Sequence, residues 1–172
     1  MNILLITPLY PGYINQSNID VTYAVHNIAK EWTNKNEVKV LRLWPYYPNL
    51  FKFFKKTRRM NQYKYEEKFT MDDVRIFRIP ILKFPKLSYR YKDIEKIATK
   101  FIKTIGKASY PDVIICDTLN PSIYIGKIIA SKCDSILIAS LHNTDIVYLS
   151  NNKNYKKYIK IDENIDKIVF RS

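Results

Sequence analysis

The chain reads as an α/β protein with a Rossmann-like, doubly wound and mainly parallel sheet. Three observations point there. Ile3, Leu4, Leu5 and Ile6 form a short apolar run without polar alternation, the pattern of a strand buried on both faces. Val113, Ile114, Ile115 and Cys116 repeat it in the second half. Between such runs lie stretches of helical spacing, above all 93–108. There Ile94, Ile97, Ala98, Phe101, Ile102 and Ile105 make one apolar face, and Lys96, Lys100, Lys103 and Lys107 the other. Strands alternating with helices imply parallel pairing through right-handed crossovers.

Taken in order, the first strand feeds a loop punctuated by Pro8, Pro11 and Gly12. Asp20 then suits the N-cap of a helix whose stripe is Val21, Ala24, Val25, Ile28, Ala29 and Trp32. Val38, Val40, Leu41 and Leu43 make the second strand. Residues 45–68 break the pattern: Phe51, Phe53, Phe54, Tyr63 and Tyr65 alternate with Lys52, Lys55, Lys56, Arg58, Arg59 and Lys64, with no acid before Glu66. This insert, at about 45–70, is too long for a tight connection and too adhesive for a neutral linker. Val74, Ile76, Phe77 and Ile79 read as a third strand. Tyr110 and Pro111 stop the helix 93–108, and residues 113–116 form the fourth strand. Asn120 followed by Pro121 predicts an N-cap and first helical position, hence a helix over 121–132. A fifth strand over 135–141 runs into His142, Asn143, Thr144 and Asp145. A polar helix is predicted over 148–161 and a sixth strand over 167–170.

At 172 residues the chain suits one domain, able to bury roughly 70% of its unfolded surface. Cys116 and Cys133 fall in different predicted elements with no Cys-x-x-Cys, so no metal or thioredoxin-type site is expected and a reduced, cytoplasmic setting is. No stretch approaches the ~18 apolar residues of a spanning helix, and the N-terminus lacks a signal-peptide pattern. The formal charge of +13, from 29 Lys plus Arg against 16 Asp plus Glu, favours polyanionic partners such as anionic lipid, phosphorylated substrates or nucleic acid. A solvated lysine face is the plain alternative.

The loops after the first, fourth and fifth strands should converge on one crevice, since open α/β sheets bind ligands at the carboxyl ends of their strands. The residues Thr7 to Gly12 are not the Gly-x-Gly-x-x-Gly of a dinucleotide site, and neither a P-loop nor a Gly-x-Ser-x-Gly elbow occurs. His142 and Asp145 are the most pointed polar pair, with backbone satisfaction as the competing role. His26, within the first helix, is expected to be structural.

The segments Ile3-Leu4-Leu5-Ile6-Thr7-Pro8, Ile28-Ala29-Lys30-Glu31-Trp32, Val38-Lys39-Val40-Leu41, Pro111-Asp112-Val113-Ile114-Ile115 and Leu141-His142-Asn143-Thr144-Asp145-Ile146, in that order and spacing, resemble the N-terminal half of a family 4 glycosyltransferase of GT-B fold. The resemblance implies a retaining, metal-independent sugar transfer from a nucleotide sugar, which is a substrate, with no cofactor. This half would bind a glycan or lipid-linked acceptor in surface polysaccharide or glycolipid synthesis. His142 through Asp145 match the family's His-Gly-x-Asp loop. His142 is thereby the candidate catalytic residue, contacting the donor sugar, with Asp145 as its loop support. Pro11, Gly12, Asn18, Asp20, Asp117, Asn143 and Asp145 are the candidate substrate-binding residues. Lys52, Lys55, Lys56, Arg58 and Arg59 would hold an anionic membrane surface, on the inner face of the cell membrane.

The chain departs from the family at two places. The paired glycines before the first helix fall at Ile19 and Asp20, where a carboxylate would occupy the helix's own positive end. The donor-binding second domain is expected to be absent after Ser172, leaving the chain inactive without that domain or a partner subunit. A non-catalytic binding or assembly subunit is the alternative, and nucleic acid is not an expected partner because no groove-reading motif occurs.

Overall fold

The computed structural model describes residues 1–17, 21, 23–51, 53–85, 89–150 and 165–171, apart from the side chains of Lys56, Tyr148 and Arg171. Among them are seven strands: β1 Asn2–Thr7, β2 Glu37–Tyr46, β3 Glu67–Met71, β4 Val74–Leu82, β5 Val113–Asp117, β6 Ile136–His142 and β7 Lys167–Arg171. They form one sheet in the order β3-β4-β2-β1-β5-β6-β7. Only β3 and β4 pair antiparallel; the other pairs are parallel. Without β3 this is the doubly wound order, in which the chain winds outward from β1 in one direction, then from β5 in the other. The reversal falls between β1 and β5, the place where such sheets open a crevice at their carboxyl edge.

Successive strand residues point to opposite faces, so each apolar run feeds two cores. Leu5, Val38, Val40, Val74 and Ile76 meet Val25 and Ala29 of α1 (Ala24–Thr33) on one face. Leu4, Ile6, Leu41, Ile114 and Leu137 meet α3 (Tyr91–Ile105) and α4 (Tyr124–Cys133) on the other, through Ile94, Phe101, Ile125 and Ile129. Gly126 lets α4 lie close, since a Cβ there would stand 2.3 Å from Cys116 Sγ.

Several element boundaries differ from the sequence expectation. Helix α1 begins at Ala24, after Tyr23 and without a side-chain cap; Asn18 and Asp20, the expected loop ligand and N-cap, lie outside the described residues. Helix α3 ends at Ile105, short of the expected 108, because Gly106 turns to φ +70° and its N–H closes on Ile102 O. Asn120 does not cap α4. It is extended (φ −123°, ψ 121°), as a residue before proline prefers, the Asn120–Pro121 bond is cis, and regular helix starts only at Tyr124 after a wide turn over Leu119–Ile123.

The 45–70 insert is largely regular. β2 runs on to Tyr46; α2 (Lys55–Gln62) follows, then β3 returns as an antiparallel edge strand. Finally, α5 (Asn143–Leu149) begins directly at the His142 strand end, earlier than the helix expected over 148–161, of which 151–161 lie outside the described residues.

Candidate functional site

The sheet register lines up Glu67, Arg78, Arg42, Thr7, Asp117 and Ser140 in one polar row near the carboxyl edge, across six strands. An apolar-in strand pattern would put hydrophobic side chains there. The row divides at the switch point into two halves with different roles.

On the β1–β5–β6 side, Thr7 Oγ1 donates to Asp117 Oδ2 at 3.0 Å, and His142 Nε2 lies 2.8 Å from Asp117 Oδ1. An ionised carboxylate only accepts, so Nε2 carries the hydrogen in this arrangement. Leu9 N–H closes on Thr7 Oγ1 at 2.9 Å, which fixes the hydroxyl rotor toward Asp117. Asp145 knits the two neighbouring loops: its Oδ2 accepts His142 N–H at 3.0 Å and its Oδ1 accepts Leu119 N–H at 3.1 Å. The Asp145 backbone N–H in turn faces the His142 ring, short of an aligned hydrogen bond. Asp117 and Thr7 are buried, while the imidazole is partly exposed.

Backbone strain marks the same spot. Thr118, directly after Asp117, sits at φ +130° and ψ 156°, a region a β-branched residue enters only at a cost of about 1–3 kcal/mol. Its hydroxyl is held 3.0 Å from Ser122 Oγ.

The β2–β4 side binds itself. Arg78 is fully buried; it donates to Gly12 O at 2.5 Å, stands 2.6 Å from a Glu67 carboxylate oxygen, and lies within 5.9 Å of the ring centres of Trp44, Tyr63 and Tyr65. Arg42 donates to Leu43 O and stacks over Trp44 at 5.0 Å. Gly12 is needed here because a Cβ would lie 2.1 Å from the Trp44 ring. Its N–H binds Gln16 Oε1 at 2.7 Å.

The expected site residues therefore separate. His142, Asp117 and Asp145 come together, with Asn143 exposed beside them at the first position of α5. Pro11 and Gly12 do not join them: both are buried, and Gly12 packs on Trp44 and Arg78. Lys55, Arg58 and Arg59 are exposed on α2, while Lys52 lies outside the described residues. Tyr63 and Tyr65, grouped by sequence with the adhesive aromatics, face Arg78 instead.

Thr7 and Thr118 escaped the sequence reading, since a threonine ending an apolar run carries no signal of its contact 110 residues away. His26 is structural as expected. Buried in α1, its Nδ1 is 2.6 Å from Tyr10 OH and its Nε2 is 2.9 Å from Asp72 Oδ2, which ties the first loop to the β3–β4 turn. The hydrogen bond from His26 holds the Asp72 carboxyl below its ordinary value, with Lys30 adding to it, and burial raises the Tyr10 phenol well above its own.

Burial likewise pushes the Cys116 thiol far up, so it stays protonated and is no nucleophile. Among the described residues no three His, Cys, Asp or Glu side chains gather into a possible metal site, and no helix is long and apolar enough to cross a membrane.

Two hollows flank this region. One, of about 330 Å³, runs beside α1 from Ile28 and Trp32 across Ile115, Ile138 and Val169, and ends on Asp117 and Ser140. The other, of about 220 Å³, lies between β4 and α3. Two of its cations are paired, Arg90 with Asp93 and Lys100 with Glu66.

No protein-family model matches the chain, and a search of curated proteins likewise finds no match.

Proposed function

We propose that this chain is the acceptor-side domain of a retaining, nucleotide-sugar-dependent glycosyltransferase, working peripherally at an inner membrane face on a glycan or lipid-linked acceptor. The observation that carries the reading is the Asp117–His142 pair: a buried carboxylate holding a partly exposed imidazole at the carboxyl edge of the sheet, one strand from the switch point. That is where open α/β folds do chemistry. Held in this way, His142 contacts the transferred sugar and steadies charge at the reacting centre. Asp117 balances that charge, and Asp145 keeps the loop in place. Donor nucleotide contacts fall to a second lobe or partner subunit.

The test is a donor screen on a polypeptide carrying this chain together with such a lobe, with His142→Ala alongside. Transfer should drop about 10²-fold or more, the usual cost of removing one group that steadies transition-state charge. Unchanged transfer removes His142 from the site and this reading with it.

A non-catalytic assembly subunit is the second reading, favoured by the apolar hollow along Ile28, Trp32, Ile115, Ile138 and Val169. Parallel sheets are normally covered on both faces, so this strip suits contact with another polypeptide. Transfer that persists in the His142→Ala protein but needs the second polypeptide would select it.

A further inference from the structure

We infer that Leu50, Phe53 and Phe54, together with Lys55, Arg58 and Arg59 of α2, form a docking surface for an anionic lipid bilayer, a cationic helix with an apolar prow. The inference goes beyond glycosyl transfer and stands without it.

The apolar part was not resolvable from composition. Leu50, Phe53 and Phe54 are 77%, 81% and 65% exposed, whereas Tyr63 and the half-exposed Tyr65 are engaged by the Arg78 guanidinium. Isolated exposed apolar residues are ordinary on a protein surface; three within five positions at one helix start are not.

The cationic part is α2. Thr57, Met60 and Asn61 form its inner side, with Thr57 buried, Met60 O accepting from Trp44 Nε1 at 2.8 Å, and Asn61 exchanging two hydrogen bonds with the Tyr47 backbone at 2.8 and 2.9 Å. That face being bolted to β2, Lys55, Arg58 and Arg59 are exposed on the other. No acid occurs between 45 and 65 to offset them.

A bilayer fits both parts. Phe and Leu enter the acyl boundary while Lys and Arg meet anionic headgroups, the division of labour of an interfacial helix. A nucleic acid would use the charge but leave Leu50 and the two phenylalanines unburied. A second copy would bring +13 onto +13. The surface follows β2 at the carboxyl edge of the sheet, the edge that also carries His142 at the end of β6.

Co-sedimentation of the 172-residue chain with vesicles tests this. Vesicles of phosphatidylcholine with about one-third phosphatidylglycerol should bind it at least about tenfold more tightly than phosphatidylcholine alone, with the preference lost in 0.5 M salt. Phe53→Ser with Phe54→Ser should weaken binding about tenfold and leave the salt dependence intact. Lys55→Gln with Arg58→Gln should weaken binding and flatten the salt dependence. Because all four side chains are exposed, thermal unfolding should not move, which separates lost docking from lost fold.

Equal binding to neutral vesicles overturns the inference. So does an aromatic double variant that binds like the parent, or RNA that binds more tightly than the anionic vesicles and displaces them. None of these outcomes bears on sugar transfer, and loss of transfer in His142→Ala leaves vesicle binding untouched.

Discussion

The molecule holds two histidine–aspartate pairs of nearly equal length and opposite burial. His26 is 3% exposed and its partner Asp72 is 47% exposed, at 2.9 Å; His142 is 28% exposed and its partner Asp117 only 1%, at 2.8 Å. In the first pair the protein has buried an imidazole and satisfied it, with Tyr10 on one nitrogen and Asp72 on the other. In the second it has buried the carboxylate and left the imidazole facing outward. A buried carboxylate is costly unless it is hydrogen-bonded, and here Thr7 Oγ1 and His142 Nε2 satisfy it, so that it holds a partly exposed ring in place. The same two residue types thus serve cohesion on the β4 side and presentation on the β6 side.

The largest expected difference between the pairs lies in His142→Ala and its counterpart. Loss of His142 should lower sugar transfer about 10²- to 10³-fold, with a smaller loss of stability because Thr7 Oγ1 still donates to the buried Asp117 carboxylate. His26→Ala should do the reverse. It strands Tyr10 and opens a hole beside α1, costing about 2 kcal/mol in a urea titration, while transfer per folded molecule holds. If both variants lose mainly stability, the pairs do not differ in kind.

Asp117→Asn sharpens the comparison further. Losing one hydrogen bond to a charged group, about 1.5 kcal/mol, should cost roughly tenfold in kcat. A fall in stability without a fall in kcat would make Asp117 a core residue like His26.

Asp72→Asn carries the smallest effect. The Asp72 carboxyl is held below its unfolded value chiefly by the His26 hydrogen bond, so its contribution is present above the unfolded value of about 3.9 and is lost as pH falls through the folded one. The parent's stability should therefore decline on that acid limb more steeply than that of the Asn variant, as followed by circular dichroism from pH 6 to 2.

The core of this fold is plain in the chain because burial writes itself into apolar runs. Residues 3–6, 113–116 and 135–141 each have too few polar positions to be anything but interior strands, and Phe101 with its neighbours leaves α3 no other face to bury. The insert was less legible. β3 alternates half-buried with exposed residues over Glu67, Lys68, Phe69, Thr70 and Met71, a weak edge-strand signal. α2 is Lys- and Arg-rich, and its inner side is Thr57, Met60 and Asn61, so no apolar stripe announces it. The burial of Arg42 and Arg78 has no local signal at all, since it depends on Trp44, Tyr63 and Tyr65 closing over them.

What the amino-acid order determined by itself is the alternation of strand and helix, hence a mainly parallel sheet whose carboxyl edge lies where Pro8, Asp117 and His142 fall. That follows because local spacing alone dictates which face of each element leaves water. The partners across that edge were decided only by tertiary structure. Thr7 meets Asp117 across 110 positions, Asp117 meets His142 across 25, and Gly12 turns away to Trp44. Such contacts depend on strand order and register, and no short-range pattern encodes which strand end lies beside which.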